Sequence, residues 1–191
     1  MKSAPFLFLL LALLCRQEVK ADTAQKWSGT AEITFSGTST LHDWAGKVSA
    51  KPFTTTVSLD EAGKPTRVQA TVAVAAAQMD TAEPKRDENM RKAMKAVDYP
   101  LISAVIDASA GSIASDSKTP ALLPMTLTLL GKSQKITGVV SRYQRQEGKV
   151  TFDLDFPVSM KASDISVPSV LLFIRVGDVV KVHATVTLQK S

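Results

Sequence analysis

The chain reads as an all-β protein, an antiparallel meander of about eight strands with one inserted helix. Three observations predict this class. Apolar and polar residues alternate, over most of the chain, with the period of a half-buried strand. Turn signals separate the runs, Asp60-Glu61-Ala62-Gly63-Lys64-Pro65 being the clearest. The alternation breaks once, between Thr81 and Tyr99, where apolar residues fall at helical spacing. At 191 residues, 45% hydrophobic and 21% charged, the composition suits one globular domain with a sizeable core. There is no tandem repeat, low-complexity tract or internal boundary.

The first 21 residues stand apart. Lys2 precedes the unbroken apolar run Phe6 to Leu14, Cys15 to Lys20 turns polar, and Val19-Lys20-Ala21 suits a cleavage site. The run is well short of the ~20 residues that span a bilayer. This pattern predicts a secretory signal peptide over 1–21, a mature domain over 22–191, and a periplasmic or secreted location. Cys15 is the only cysteine and lies in the leader, after Leu14 rather than the small residue that lipidation favours. The mature chain then has no disulfide, thiol chemistry or cysteine-ligated metal. Cleavage removes Lys2, Arg16, Lys20 and Glu18, so the net charge falls from +5 to +3. That mild excess, with few aromatics, is no nucleic-acid signature.

In chain order, Ala31, Ile33 and Phe35 alternate with Glu32, Thr34 and Ser36. After a Gly37 to Thr40 interruption, His42-Asp43-Trp44 leads into a strand with Trp44, Val48 and Ala50 on one side. Phe53, Val57 and Leu59 follow, then Val68, Ala70, Val72, Val74 and Ala76. Thr81 is placed to cap a helix with Glu83 and Pro84 in its first turn. Met90, Ala93, Met94 and Val97 form its apolar stripe, and Tyr99-Pro100 is expected to end it. Ile102, Ala104 and Ile106 resume the strand pattern, and Ser109 to Ala121 reads as a loop. Met125, Leu127 and Leu129, a turn at Gly131-Lys132-Ser133, and Ile136, Gly138 and Val140 make a hairpin. Val150, Phe152, Leu154, Phe156 and Val158 alternate most cleanly of all. An irregular link over 161–169, the apolar Leu171, Phe173 and Ile174, and a last strand from Val180 to Leu188 complete the chain.

Two closures fit this pattern, a sandwich and an up-and-down barrel; eight strands close a barrel just wide enough to be filled or to hold one small ligand. In either, the inward register is apolar. It includes Phe35, Val48, Val72, Ile106, Leu127 and Leu129, and the trio Phe152, Leu154 and Phe156, with no ionisable group among them. General acid–base catalysis needs titratable groups in the cavity, so the interior argues for an apolar ligand and against an enzyme. His42 and Asp43 are adjacent, and neighbours on an extended strand face opposite ways; no nucleophile-elbow pattern accompanies them. His183 falls in the polar register of the last strand and is expected to face solvent. No metal or cofactor is expected. Met90 and Met94 would adapt to an apolar tail as part of a lid, and Arg86 or Lys92 would meet a polar or phosphate head group at the mouth.

The motifs together resemble the YceI-like domain. Phe35-Ser36-Gly37 and Leu41-His42-Asp43-Trp44-Ala45-Gly46 resemble its opening. Met79-Asp80-Thr81, Arg86-Asp87-Glu88-Asn89-Met90 and Tyr99-Pro100-Leu101-Ile102 resemble its central segment. Leu127-Thr128-Leu129-Leu130-Gly131 resembles its hairpin, and Gly177-Asp178-Val179-Val180 its ending. Lys161-Ala162-Ser163-Asp164 departs from the pattern, with Ile165-Ser166 where Phe-Gly is expected, and 171–175 is greasier than the pattern. The resemblance implies an eight-stranded antiparallel, lipocalin-like barrel holding a long amphiphilic lipid, a polyisoprenoid or isoprenoid quinone, with no established enzymatic activity. Trp44 joins the inward residues above as a ligand contact. The rival readings are a ligand-free packed β-sandwich serving interaction or stress protection, and a hydrolase using His42. A transient membrane contact and a homodimer stay open.

Overall fold

A computed structural model describes residues 23–113, 120–166 and 176–191. The expected signal peptide and the apolar run 171–174 lie outside these residues. Nine strands, β1 (Thr23–Gly37), β2 (Trp44–Ser49), β3 (Phe53–Leu59), β4 (Pro65–Ala75), β5 (Leu101–Ser109), β6 (Ala121–Leu129), β7 (Lys132–Gln146), β8 (Lys149–Ser159) and β9 (Val179–Lys190), form one antiparallel sheet. The single α-helix among the described residues, α1 (Pro84–Ala93), lies between β4 and β5. The sheet closes because β1 also pairs with β9, from Trp27 opposite Lys190 to Ser36 opposite Lys181. The ring runs from β1 through β3 to β9 and back to β1, and among the described strands only β2 keeps a side without a partner strand; the barrel rather than the sandwich is the architecture.

The ninth strand arises from a break. β3 runs along β1 from Thr23↔Leu59 to Gly29↔Phe53, and β2 continues along the same edge from Glu32↔Ser49 to Gly37↔Trp44. The register slips by one residue between them. β2 and β3 are thus two halves of one barrel strand, interrupted near Ala50-Lys51-Pro52. Pro52 has no N–H for a ladder. The flanking amides stay paired, Ala50 N donating to Ala31 O and Lys51 N to Ala73 O, both at 2.8 Å. Beyond the break, β2 is tied to the stretch after β4 by reciprocal bonds between Lys47 and Asp80.

Three aromatic rings lie over glycines of the facing strand. A Cβ on Gly29, Gly37 or Gly46 would stand 2.2, 2.4 and 2.4 Å from the rings of Phe53, Trp44 and Phe35. Such glycines let large rings fill the curve of the barrel.

Two sequence expectations are corrected in the turns. The β6–β7 turn is Leu130-Gly131, because Leu129 pairs with Lys132. Both turn residues have positive φ (47° and 71°), the two-residue geometry that matches strand twist. The helix neither starts nor ends where expected. Thr81 is not its cap; Ala82 takes φ 58° and its N–H bonds to Asp80 Oδ1, so the helix begins at Pro84. At the other end it stops well before Tyr99-Pro100. Lys95 turns left-handed (φ 46°), with Ala96 N bonded to Arg91 O and Lys95 N to Lys92 O. This pair of bonds terminates helices, usually with glycine at the left-handed position. Val97 therefore leaves the apolar stripe and is 95% exposed.

Candidate ligand cavity

The barrel encloses one large cavity of about 680 Å³, within the size range of small-molecule pockets. It runs from Val68, Ile113, Leu123 and Leu188 near one end to Leu41, His42 and α1 at the other. The walls follow from the period-2 pattern. Inward residues of every strand are aliphatic or aromatic, and the hydroxyl of buried Thr55 is a polar exception. Of the sequence-predicted residues, Phe35, Trp44, Val48, Val72, Ile106, Leu127, Leu129, Phe152, Leu154 and Phe156 all line it. Phe35 and Trp44 meet edge to face, ring centroids 6.3 Å apart, from adjacent strands. Arg86 and Met90 line it from α1, and Met94 from the residue that caps its end.

Lys92 does not. It sits on the outer side of α1 and pairs with Glu88, which also binds Lys85 at 2.9 Å. These ammonium groups hold the Glu88 carboxyl down at about 2, bonds from Lys92 first. Six residues on a 3.6-residue helix put Arg86 and Lys92 about 120° apart, so only one can face inward.

The two ends of the cavity differ in kind. Ionisable lining groups, His42, Glu83, Lys85 and Arg86, gather at the mouth. There too are residues that sequence reasoning missed: Met79 beyond β4, and Met160 and Ile165 beyond β8. With Met90, Met94 and Met125 they complete a pattern visible in the sequence only in hindsight. Every methionine among the described residues lines this cavity. Flexible, polarisable thioethers fill irregular apolar gaps and adapt to different shapes.

The mouth is held by polar contacts. Asp87 is buried at the start of α1, and its Oδ1 accepts from Thr81 Oγ1 (2.6 Å) and Thr81 N (2.9 Å). The bond from the Thr81 hydroxyl leads the effects that hold the Asp87 carboxyl below its ordinary range. Across the opening, Gln134 Nε2 donates to Ser163 Oγ (2.5 Å) and Ser159 O (3.1 Å), anchoring the turn after β8. Lys132 pairs with Asp164 at 3.1 Å.

The histidines do not converge on a catalytic or metal-binding group. His42 is exposed on the β1–β2 loop, where Ser39 Oγ donates to its carbonyl (2.6 Å) and accepts from its N–H (3.3 Å). His183 lies on the outer face, its Nδ1 2.7 Å from Asp155 Oδ1. No cluster of three His, Cys, Asp or Glu residues fit to hold a metal occurs among the described residues. On the same outer face Asp153 is buried, held by Arg142 and by Thr185 Oγ1 at 3.0 Å.

Comparison with known proteins agrees with this architecture. Burkholderia cenocepacia BcnA superposes with a TM-score of 0.63 at 18% identity, over 82% of this chain and 95% of its own. A polyisoprenoid-binding domain from Saccharophagus degradans, implicated in plant cell wall breakdown, gives 0.64 at 11% identity, over 88% and 100%. At these identities the likeness is one of fold. No curated protein matches by sequence. The sequence profile of the YceI-like domain matches residues 24–188, nearly the whole barrel, and the chain belongs to the YceI-like domain family.

Proposed function

We propose that this protein is an exported carrier that holds a long amphiphilic lipid, of polyisoprenoid or isoprenoid-quinone type, inside its barrel. The carrying observation is the cavity of about 680 Å³ with apolar walls and, among the described residues, charged groups at one end only. That polarity suits a ligand with a greasy tail and a polar head. Each buried methylene contributes roughly 0.8 kcal/mol, so ten would supply about 8 kcal/mol before the cost of ordering the chain. The polyisoprenoid-binding relative of similar fold favours the isoprenoid class. The run Phe6 to Leu14 favours export to the periplasm or beyond. A role in binding rather than catalysis accords with walls that carry no acid or base.

Leu129→Trp tests the reading. Leu129 lines the cavity near the mouth, and an indole there would enter empty space. Delipidated wild type should take up a fluorescent isoprenoid, and the variant should not. Its melting temperature should stay close to that of the wild type, because overpacking costs ~1–3 kcal/mol only where a core is already full. A destabilised variant, from a wild type that never takes up the probe, would end the carrier reading. Mass spectrometry of organic extracts from the purified protein would identify the natural ligand.

A further inference from the structure

Large apolar side chains are exposed mainly at the mouth of the barrel. Among the described residues eight are exposed, and five of them, Leu41, Val97, Tyr99, Leu101 and Val179, lie where strands meet the mouth. The others, Val105, Leu122 and Val139, lie on the outer wall. The turns of the opposite end, Asp60–Lys64 and Glu147-Gly148, contribute none. The mouth cluster is densest where α1 turns back into the sheet. Val97, Tyr99 and Leu101 follow one another there, and the Tyr99 ring lies beside Gly131 of the β6–β7 turn, 3.3 Å from where a Cβ would stand. This joins two strand connections into one rim.

The same segment is basic. Arg91, Lys92 and Lys95 stand against Asp98 alone. Arg91 and Lys95 make no ion pair among the described residues, while Lys92 shares Glu88 with Lys85. Basic side chains interleaved with exposed aliphatic residues and a tyrosine are the composition of an interfacial membrane anchor. The patch is also continuous with the cavity, since α1 and the turn that ends it bring Met90 and Met94 to the cavity and leave Lys92 and Lys95 exposed outside.

We infer that the mouth rim formed by Val97, Tyr99 and Leu101, with Arg91, Lys92 and Lys95, docks the barrel on an anionic lipid bilayer. The inference rests on the carrier reading: a ligand almost insoluble in water is exchanged with a membrane, and docking the open end keeps its tail out of solvent. The basic groups supply attraction to anionic head groups and the apolar ones enter the interface.

Flotation with vesicles tests this. Wild type should bind mixed phosphatidylcholine–phosphatidylglycerol vesicles at low ionic strength. Binding should be far weaker to pure phosphatidylcholine, and in about 1 M salt, where charges are screened beyond ~3 Å. Lys95→Glu with Val97→Glu should weaken binding about tenfold or more and leave uptake of a dispersed fluorescent isoprenoid unchanged. Val105→Glu with Leu122→Glu, on the outer wall, should bind vesicles as wild type does. Equal binding by the rim variant, equal loss in the wall variant, or no preference for anionic vesicles would overturn the docking face. A wild type that takes up dispersed probe but ignores vesicles ends the docking proposal alone. One that docks but never takes up probe ends the carrier reading alone.

Discussion

The wall and the mouth of this barrel face the same cavity with different materials. The wall presents mostly aliphatic and aromatic side chains from strands paired along the closed sheet, with Leu127, Phe152 and Leu154 buried among them. The mouth presents thioethers from Met79, Met90, Met94 and Met160, a short helix, and charged groups. Left-handed residues at Ala82 and Lys95 bracket that helix, and one buried carboxylate secures its start. Stiff side chains on a closed sheet define a volume; soft side chains on a locally held cap can change shape without unfolding the wall. Stability is then expected to be concentrated in the wall and adaptability at the mouth.

The largest test of that division is Leu123→Ala. Leu123 is 2% exposed and lies on the wall toward the end opposite the mouth. Its truncation is expected to cost ~2–4 kcal/mol of global stability, read by denaturant unfolding, while lipid uptake persists because the cavity only grows. A change confined to local opening at the mouth would break the comparison.

A smaller and local effect is expected from Asp87→Ala. It leaves the N–H and hydroxyl of buried Thr81 without their acceptor, at about 1–3 kcal/mol. Faster hydrogen exchange should appear over residues 81–94 and not in β6 or β8. The sign of the pH dependence follows from the lowered carboxyl. The contribution of Asp87 is fully present above the unfolded value of about 3.9 and is lost as the pH falls through the lower folded value. The mouth should hence loosen only in acid and stay unchanged between about pH 5 and 8. Uniform exchange across the barrel would show that wall and mouth open together.

The smallest effect belongs to Glu88→Gln. Its carboxyl sits at about 2 between Lys85 and Lys92, yet all three side chains are solvent-exposed. Exposed pairs contribute little, so the melting temperature should not move measurably. A clear drop would mean that the outer face of α1 takes part in holding the mouth.

How much of this was written in the chain divides along the same line. Period-2 alternation is a local property, and it marked the inward residues Leu127, Phe152 and Phe156 before any pairing was known. Helical spacing likewise marked Met90 and Met94. Their arrival on the cavity follows from which face of each element is apolar. Alternation alone left sandwich and barrel open, and the family resemblance pointed to the barrel; closure itself depends on β1 meeting β9 from opposite ends of the chain. Nor did it reveal that β2 and β3 are one interrupted strand, since that shows only in their shared register along β1. Val97 continues the helical stripe in sequence but leaves it in space, because Lys95 ends the helix in a left-handed turn. Asp87 looks like one more charge on a charged helix until Thr81 is folded against it. Local patterning thus determined which faces are buried. Long-range pairing and the few residues that reverse the chain decided what those faces enclose and which groups meet at the opening, because such contacts gain their energy only once distant segments are already in place.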